Sequence, residues 1–275
     1  MISNQFKEKR RWLQACFSNS GKRQTNEDRV EALSFKIDDI IRFSYLSACD
    51  GVAGSENGEA CADSISSALK LWVKNYIDQF GKGALYLRQR TIIRESLLQL
   101  QVPLTPKGAT ATGFAIFDHK RKNNGYRLLV SWTGDCRVYY LDSMGEFRLL
   151  TCDQHDDENR LTGYYSTPDG KVNGELGLKF FTLPKEPILI VITTDGLHEK
   201  CSCDELKFFF SWCILQPDLG IKQLGHWAKL FIEENISDNY SASCLFRQKA
   251  LPRKKLLNSL QENKQCKNSA KVKKD

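Results

Sequence analysis

A strand-like apolar run, Tyr45-Leu46-Ser47-Ala48-Cys49, stops at Asp50-Gly51, crosses the small residues Val52-Ala53-Gly54 and gives way to a long helical pattern. A carboxylate at the end of a buried strand, with a glycine beside it, is held rigidly yet faces open space. That is how a preorganised site is built on a scaffold element. The feature constrains the whole chain, because other strand ends must then bring partners to Asp50.

Taken in order, Trp12 to Phe17, Val30 to Phe35 and Ile40 to Asp50 read as strands, the last two split by the acidic turn Asp38-Asp39. Cys61, Ile65, Ala68, Leu69, Trp72, Val73, Tyr76, Ile77 and Phe80 then share one helical face, broken at Gly81-Lys82-Gly83. The spacing predicts a second helix from about Ala84 to Gln101, ended by Pro103 and Pro106. Ala109 to Asp118, Tyr126 to Trp132, Val138 to Leu141 and Glu146 to Leu150 return to strand character. Asp153 to Asn173 is polar, without periodicity. Two further strands, Leu178 to Leu183 and Pro187 to Thr194, precede helices over Asp204 to Leu215 and Ile221 to Ile236, and Ser241 to Phe246 is a last strand. This order suits sheets packed together with a helical layer on each outside. Strict alternation of strand and helix is absent, which argues against a doubly wound parallel sheet.

The net charge of +7 points to nucleic acid only until it is located. Lys249 to Asp275 carries nine Lys/Arg against two acids, so the whole excess sits in the tail and residues 1–248 are balanced. We therefore expect one domain over 1–248 and a basic, flexible tail over 249–275, with Leu256, Leu257 and Leu260 marking a short amphipathic turn able to dock on the body. Nucleic-acid binding is not expected of the body. No apolar run reaches the ~18 residues of a membrane span. The polar start from Met1 to Trp12 lacks a secretory core, and the ten scattered cysteines suit a reducing, cytoplasmic setting.

Three acidic residues repeat the setting of Asp50. Asp195 follows the apolar run Ile188 to Thr194 and precedes Gly196; Asp135 follows Leu128 to Gly134; Asp238 opens Asp238-Asn239 before the last strand. Glu27 and Asp28 make a fifth acidic point after the first strand. Taken singly, each is also readable as a turn residue, since Asp-Gly is a common turn dipeptide. Clustered at low dielectric they would repel, and need cations or protons. Oxygen ligands without His or thiolate select Mg2+ or Mn2+ over zinc.

The set and its order resemble the protein phosphatase 2C family of metal-dependent Ser/Thr phosphatases, bacterial members in particular. Gly21 to Arg29, with Arg23, Asn26, Glu27 and Asp28, is similar to the family's first motif, and Asp50-Gly51-Val52-Ala53-Gly54 to its Asp-Gly-x-Gly-Gly. Gly108-Ala109-Thr110-Ala111, Gly134-Asp135-Cys136-Arg137, Leu150-Thr151-Cys152-Asp153-Gln154-His155, Thr194-Asp195-Gly196-Leu197 and Asp238-Asn239 resemble the later motifs. Each is weak alone; seven in order are strong. The resemblance implies an α+β, four-layer α-β-β-α sandwich, with two antiparallel sheets face to face and paired helices outside. It implies that Asp50 bridges two Mg2+ or Mn2+ ions, with the Gly51 carbonyl on one. Asp195 and Asp238 would bind the other, Glu27 and Asp28 would hold metal-bound waters, and Asp135 would serve a third, weaker site. Arg23 would clamp the substrate phosphate. The implied activity is hydrolysis of phosphoserine and phosphothreonine in a phosphorylated protein, by a metal-bridging hydroxide, in a monomer. The other reading is a catalytically weak regulatory or binding module on the same fold.

Four departures stand out. Val52 occupies the place of a His proposed as general acid in many eukaryotic members, Ala53 replaces a turn glycine, Asn26-Glu27 replaces the more usual bacterial Asn-Gln, and the flap segment from His155 to Ile188 is compact. His155 is expected to be a structural histidine away from the carboxylates. Asp153, Asp156, Asp157 and Glu158 are expected to form a solvated acidic turn, and Cys136 a buried inert thiol.

Overall fold

The computed structural model describes residues 12–37, 40–52, 54–80, 90–102, 106–122, 125–183, 187–216, 220–231 and 237–247. The expectations for Asp38-Asp39, Ala53, the start of the second helix, its stop at Pro103, the end of the last helix and the tail from 249 lie outside them.

Twelve described strands form two sheets in which every pairing is antiparallel. One sheet has five strands: β1 (Trp12–Asn19), β12 (Tyr240–Arg247), β11 (Pro187–Thr193), β6 (Arg137–Asp142) and β7 (Phe147–Leu149), in that spatial order. The other has seven. Its main path runs β10 (Gly177–Leu183), β5 (Gly125–Thr133), β4 (Gly108–Lys122), β3 (Ile40–Gly51) and β2 (Arg29–Ile37), with β8 (Tyr164–Thr167) and β9 (Val172–Asn173) added at the end of β4. Helices α1 (Gly58–Phe80) and α2 (Arg90–Leu98) cover the seven-stranded sheet. Helices α4 (Cys203–Leu215) and α5 (Leu224–Phe231) cover the five-stranded one, with the short α3 (Asp195–His198) at the end of β11.

The two-residue period of a strand sorts side chains into three cores. On β3, Phe43, Tyr45 and Cys49 face α1, while Leu46 and Ala48 face the other sheet. On β11, Leu189 and Val191 face α4 and α5, while Ile190 and Ile192 face inward. The expected four-layer sandwich follows directly: helices, sheet, sheet, helices. α4 starts at a capping box in which Ser202 and Glu205 satisfy each other's backbone N–H groups.

The parity also positions the acidic residues. Asp50 continues the inward series Leu46, Ala48, so it stands at the rim of the inter-sheet core. Asp28 precedes the inward positions Val30 and Ala32 of β2; past the end of β11, Thr194 continues the inward series Ile190, Ile192, and Asp195 follows it as the first residue of α3. The polar stretch after Asp153 differs from the expectation of irregular chain: it folds into β8 and β9, because Tyr165 is buried and donates its hydroxyl to the Leu97 carbonyl. Among the described residues no helix is long and apolar enough to cross a membrane. The nine described cysteines are free thiols.

Candidate metal centre

Asp50 is fixed by its backbone. Its carbonyl accepts the Thr110 hydroxyl at 2.8 Å, Val52 N–H donates to the Ala109 carbonyl at 3.0 Å and Gly51 N–H to the Glu27 carbonyl at 3.3 Å. A Cβ at Gly51 would lie 2.7 Å from the Glu27 Cβ and 2.8 Å from the Gly58 carbonyl carbon. Only glycine allows the start of α1 and the Glu27 loop to close on this strand end.

Asp28 is buried and held by two hydroxyls from the opposite sheet: its Oδ2 accepts from Thr194 at 2.9 Å and from Ser241 at 2.7 Å, while its Oδ1 has no hydrogen-bond partner among the described residues. Asn26 and Asn239 set the loop around it. The Asn26 Oδ1 accepts from Asp28 N–H, and the Asn239 Oδ1 accepts from Glu27 N–H, while the Asn239 amide donates to the Ser20 and Thr25 carbonyls. Asp135 sits in the turn after β5, where Gly134 has φ +88°, a left-handed conformation suited to glycine.

These side chains share one cleft of about 280 Å³, lined by Arg23, Asp50, Gly51, Val52, Asp135, His155, Asn159, Leu161, Asp195, Glu199 and Asp238 together with Ala111. Burial and mutual repulsion disturb their titration. Asp28 is pushed up to about 6, by burial first and by the Asp195 charge, against the hydroxyls that hold it down. Asp135 also rises to about 6, by burial and by Asp195. Asp50 is raised well above the usual carboxylate range by burial and the charges of Asp28, Asp195 and Asp135, and Asp195 is raised by burial and by Asp238 and Glu199. Such a cluster is electrostatically frustrated until something positive neutralises it.

Arg23 supplies part of that charge. Its Nη2 lies 2.6 Å from the Asp238 Oδ2, and its Nη1 3.9 Å from the Glu27 Oε2. The expected phosphate clamp is thus paired with an expected metal ligand. Among the described residues, no three His, Cys, Asp or Glu side chains are already drawn close enough together to enclose an ion. The donor set nevertheless fits a hard divalent cation. Its carboxylates and the Gly51 carbonyl offer oxygen, burial and neighbouring carboxylates raise the proton affinity of Asp50, and Asp28 Oδ1 is a buried acceptor with no donor among the described residues.

Of the residues singled out in the sequence, Arg23, Asp50, Gly51, Asp135, Asp195 and Asp238 line the cleft; Glu27 and Asp28 stand behind Gly51 and Asp195. His155 requires a correction. It does not stand apart from the carboxylates: its Nε2 is 3.4 Å from the Asp135 Oδ2 and it lines the cleft. The reason is Gln154, whose side-chain carbonyl accepts from Gly134 N–H at 2.8 Å and whose amide donates to the Glu175 carbonyl, stitching the loop onto the Asp135 turn. The acidic turn is likewise structured rather than merely solvated. Asp153 chelates the Arg137 guanidinium, and Asp156 accepts from the backbone of Glu158 and Arg160 and from the Arg160 side chain. Cys136 is buried, its thiol pushed well above the ordinary range by burial and nearby carboxylates, as expected of an inert thiol.

Sequence reasoning missed the hydroxyls of Thr194 and Ser241. Their signal was present: Ser241 and Ser243 alternate with Ala242 and Cys244 on a fully buried strand, so the polar parity had to face the other sheet. Glu199, Asn159 and Leu161 carried no such signal, because their place on the cleft depends on how α3 and the 155–161 turn fold.

The chain matches the protein phosphatase 2C family over residues 9–176, well over half its length. It belongs to that family. Among solved structures, the serine/threonine phosphatase Stp1 from Staphylococcus aureus is 17% identical with a TM-score of 0.58, over 85% of this chain and 94% of that one. The catalytic domain of the phosphatase PstP, solved with two manganese ions, is 19% identical with a TM-score of 0.50, over 86% and 98%. A C. elegans sex determining protein is 15% identical with a TM-score of 0.59, over 90% and 67%. At these identities the likeness is one of fold. No curated protein matches the chain in sequence.

Proposed function

We propose that the chain hydrolyses phosphoserine and phosphothreonine in phosphorylated proteins, using two Mg2+ or Mn2+ ions held at the acidic rim. The observation that carries this is the convergence of Asp50, Asp135, Asp195 and Asp238 with Arg23 on one cleft, with Asp28 buried behind it, where burial and neighbouring carboxylates raise the proton affinity of Asp28, Asp50, Asp135 and Asp195. Asp50 would contact both ions, with the Gly51 carbonyl on one and Asp195 and Asp238 on the other. Glu27 and Asp28 would order the surrounding water, and Asp135 would serve a third, weaker site. When bound, the ions would supply a hydroxide nucleophile at neutral pH and offset the charge of the phosphoryl group.

The chain's own residues account for substrate placement. Arg23 is poised to exchange Asp238 for phosphate oxygens, a swap between two anions that a forked guanidinium makes at little cost. Val52 gives the cleft wall beside Asp50 no proton donor. Thr110, Val52 and Gly51 hold the Asp50 strand end through backbone contacts, so its carboxylate is preorganised.

The test is hydrolysis of p-nitrophenyl phosphate and of a phosphothreonine peptide with Mn2+. Activity is expected with metal and lost with chelator; no turnover with metal, or full turnover by Asp195→Asn, overturns the reading. Arg23→Ala is expected to raise KM roughly tenfold while keeping metal binding, about 1.4 kcal/mol of lost phosphate contact. Calorimetric titration separates this reading from a regulatory module on the same fold, which would bind no Mn2+ at the rim.

A further inference from the structure

The outer surface of the α4–α5 layer carries a second cleft, of about 290 Å³, lined by Phe208, Phe209, Trp212, Trp227, Leu230 and Phe231. All six side chains are apolar, and Leu230 is 61% exposed. The rings are mutually packed: Trp212 on Trp227 with centroids 4.9 Å apart, and Phe231 against Phe208 at 6.2 Å and Phe209 at 5.0 Å. Phe209 belongs to the core beneath and Trp212, Trp227 and Phe231 pack against it, while Leu230 is exposed, so the cleft opens from that core between α4 and α5 and leaves apolar side chains at the surface for a partner to cover. It takes no part in the acidic site.

We propose that the segment Arg253–Leu260 of this same chain docks in that cleft. The chain's path favours it. On β12, Ala242, Cys244 and Phe246 pack in the same apolar core as Leu206, Phe209, Phe210 and Cys213 of α4 and Leu224 and Ala228 of α5. The strand therefore leaves that shared core at Phe246 and ends at Arg247, beside Trp12 of β1. The nine residues from there to Leu256 span up to about 30 Å when extended. The thirteen-residue α4 is roughly 20 Å long. Any part of the layer is within reach.

The chemistry matches as well. Leu256, Leu257 and Leu260 have the i, i+1, i+4 spacing of one helical side, an apolar face for an apolar cleft. Arg253, Lys254 and Lys255 come immediately before, and cationic side chains are attracted to indole faces, of which the cleft has two. The inference is independent of the phosphatase reading.

The test uses the full-length protein and two variants, Leu230→Asp and the triple Leu256→Asp, Leu257→Asp, Leu260→Asp. Leu230→Asp replaces an exposed side chain, and far-ultraviolet circular dichroism checks the fold of both variants. Two quantities are read: acrylamide quenching of tryptophan fluorescence, and the rate of tryptic cleavage at Arg253 to Lys255. Both variants are expected to raise quenching and to speed cleavage at least ~fivefold, because cleavage follows the population of the undocked tail. The combined variant should go no further than either alone, since both break one contact. Wild-type cleavage already as fast as in the variants, with unchanged quenching, overturns the proposal. So does a concentration-dependent dimer that Leu230→Asp abolishes and the triple variant leaves intact, which would give the cleft to a second copy.

Discussion

The two ends of the inter-sheet core bury titratable groups in opposite ways. At the far end, His119 forms a three-ring cluster with Trp12 and Phe117, at 5.1 and 5.0 Å, and its Nε2 pairs with the Ser44 hydroxyl at 2.8 Å. Its Nδ1 is buried with no partner among the described residues, and burial pushes its pKa down to about 4. Asp142 at the same end is buried but accepts backbone N–H groups from Met144 and Glu146. That end is closed by rings and local hydrogen bonds. At the near end burial and neighbouring carboxylates raise the proton affinity of Asp50, Asp135 and Asp195 around an open cleft, and of Asp28 behind it. One end gains stability by holding its polar groups neutral or satisfied. The other leaves carboxyl groups together at a cost that bound protons or the proposed cations would offset.

The sharpest way to break this contrast is Asp50→Asn. Activity should fall roughly a thousandfold or more, about 4 kcal/mol of barrier. The metal-free protein should melt higher than wild type, because a charge leaves a repelling cluster. A parallel fall in both quantities would show that Asp50 is a structural residue and not a site residue.

Next in size is the acid response of the far end. His119 has a folded pKa of about 4, below its unfolded value of about 6.5. Its neutral form is the folded one, so its contribution is fully present above pH ~6.5 and is lost as pH falls through ~4. Over that window the loss is on the order of 3 kcal/mol. His119→Phe keeps a ring packed against Trp12 and Phe117 and removes the titration, so denaturant midpoints measured from pH 7 to pH 4 should flatten. An unchanged slope would place acid sensitivity elsewhere, His198 being the other histidine that burial pushes down, to about 3.

The near end slopes the other way. Asp28 and Asp135 bind protons more tightly folded than unfolded, so they favour the metal-free fold below pH ~4, and that advantage is lost as pH rises through about 6. Divalent cation compensates in the upper part of the range. At a hundredfold excess over its Kd, Mn2+ should add about 2.7 kcal/mol. Melting temperatures with Mn2+ and with chelator should therefore diverge from pH 5 to pH 8. A gap that narrows toward pH 8 would contradict the carboxylate frustration described above.

The layers and the acidic points were legible because both rest on period-two parity and on strand ends. Leu46 and Ala48 face inward, so Asp50 does too; Ile190 and Ile192 face inward, so Thr194 does, and Asp195 comes one residue past that series at the start of α3. What was not legible depends on tertiary contact. His155 reaches Asp135 only because Gln154 hydrogen-bonds across to Gly134. Arg23 meets Asp238, 215 positions away, only because β1 and β12 pair along their whole length. No local pattern carries either distance.

Ser241→Ala tests that last kind of contact with the smallest expected effect. The Ser241 hydroxyl donates to the Asp28 Oδ2 at 2.7 Å and also meets the Ser18 hydroxyl at 2.8 Å, so it ties β12 to β1 while holding a carboxylate of the opposite sheet. Removing it leaves Thr194 as the one described hydroxyl donor to Asp28 Oδ2 and raises that carboxyl's proton affinity further. Outer contacts of this kind typically matter tenfold or somewhat more in metal affinity, about 1.4 kcal/mol. Mn2+ affinity at pH 6 should therefore fall more than at pH 8, where Asp28 is ionised in either protein. Ser243→Ala is the control. Its hydroxyl donates to the Glu31 carbonyl, away from any carboxylate, and its loss should lower stability by about 1 kcal/mol at both pH values without touching affinity. If the two serines behaved alike, the near end would be an ordinary buried hydrogen-bond network, and the distinction between the two ends of the sandwich would fail at Asp28.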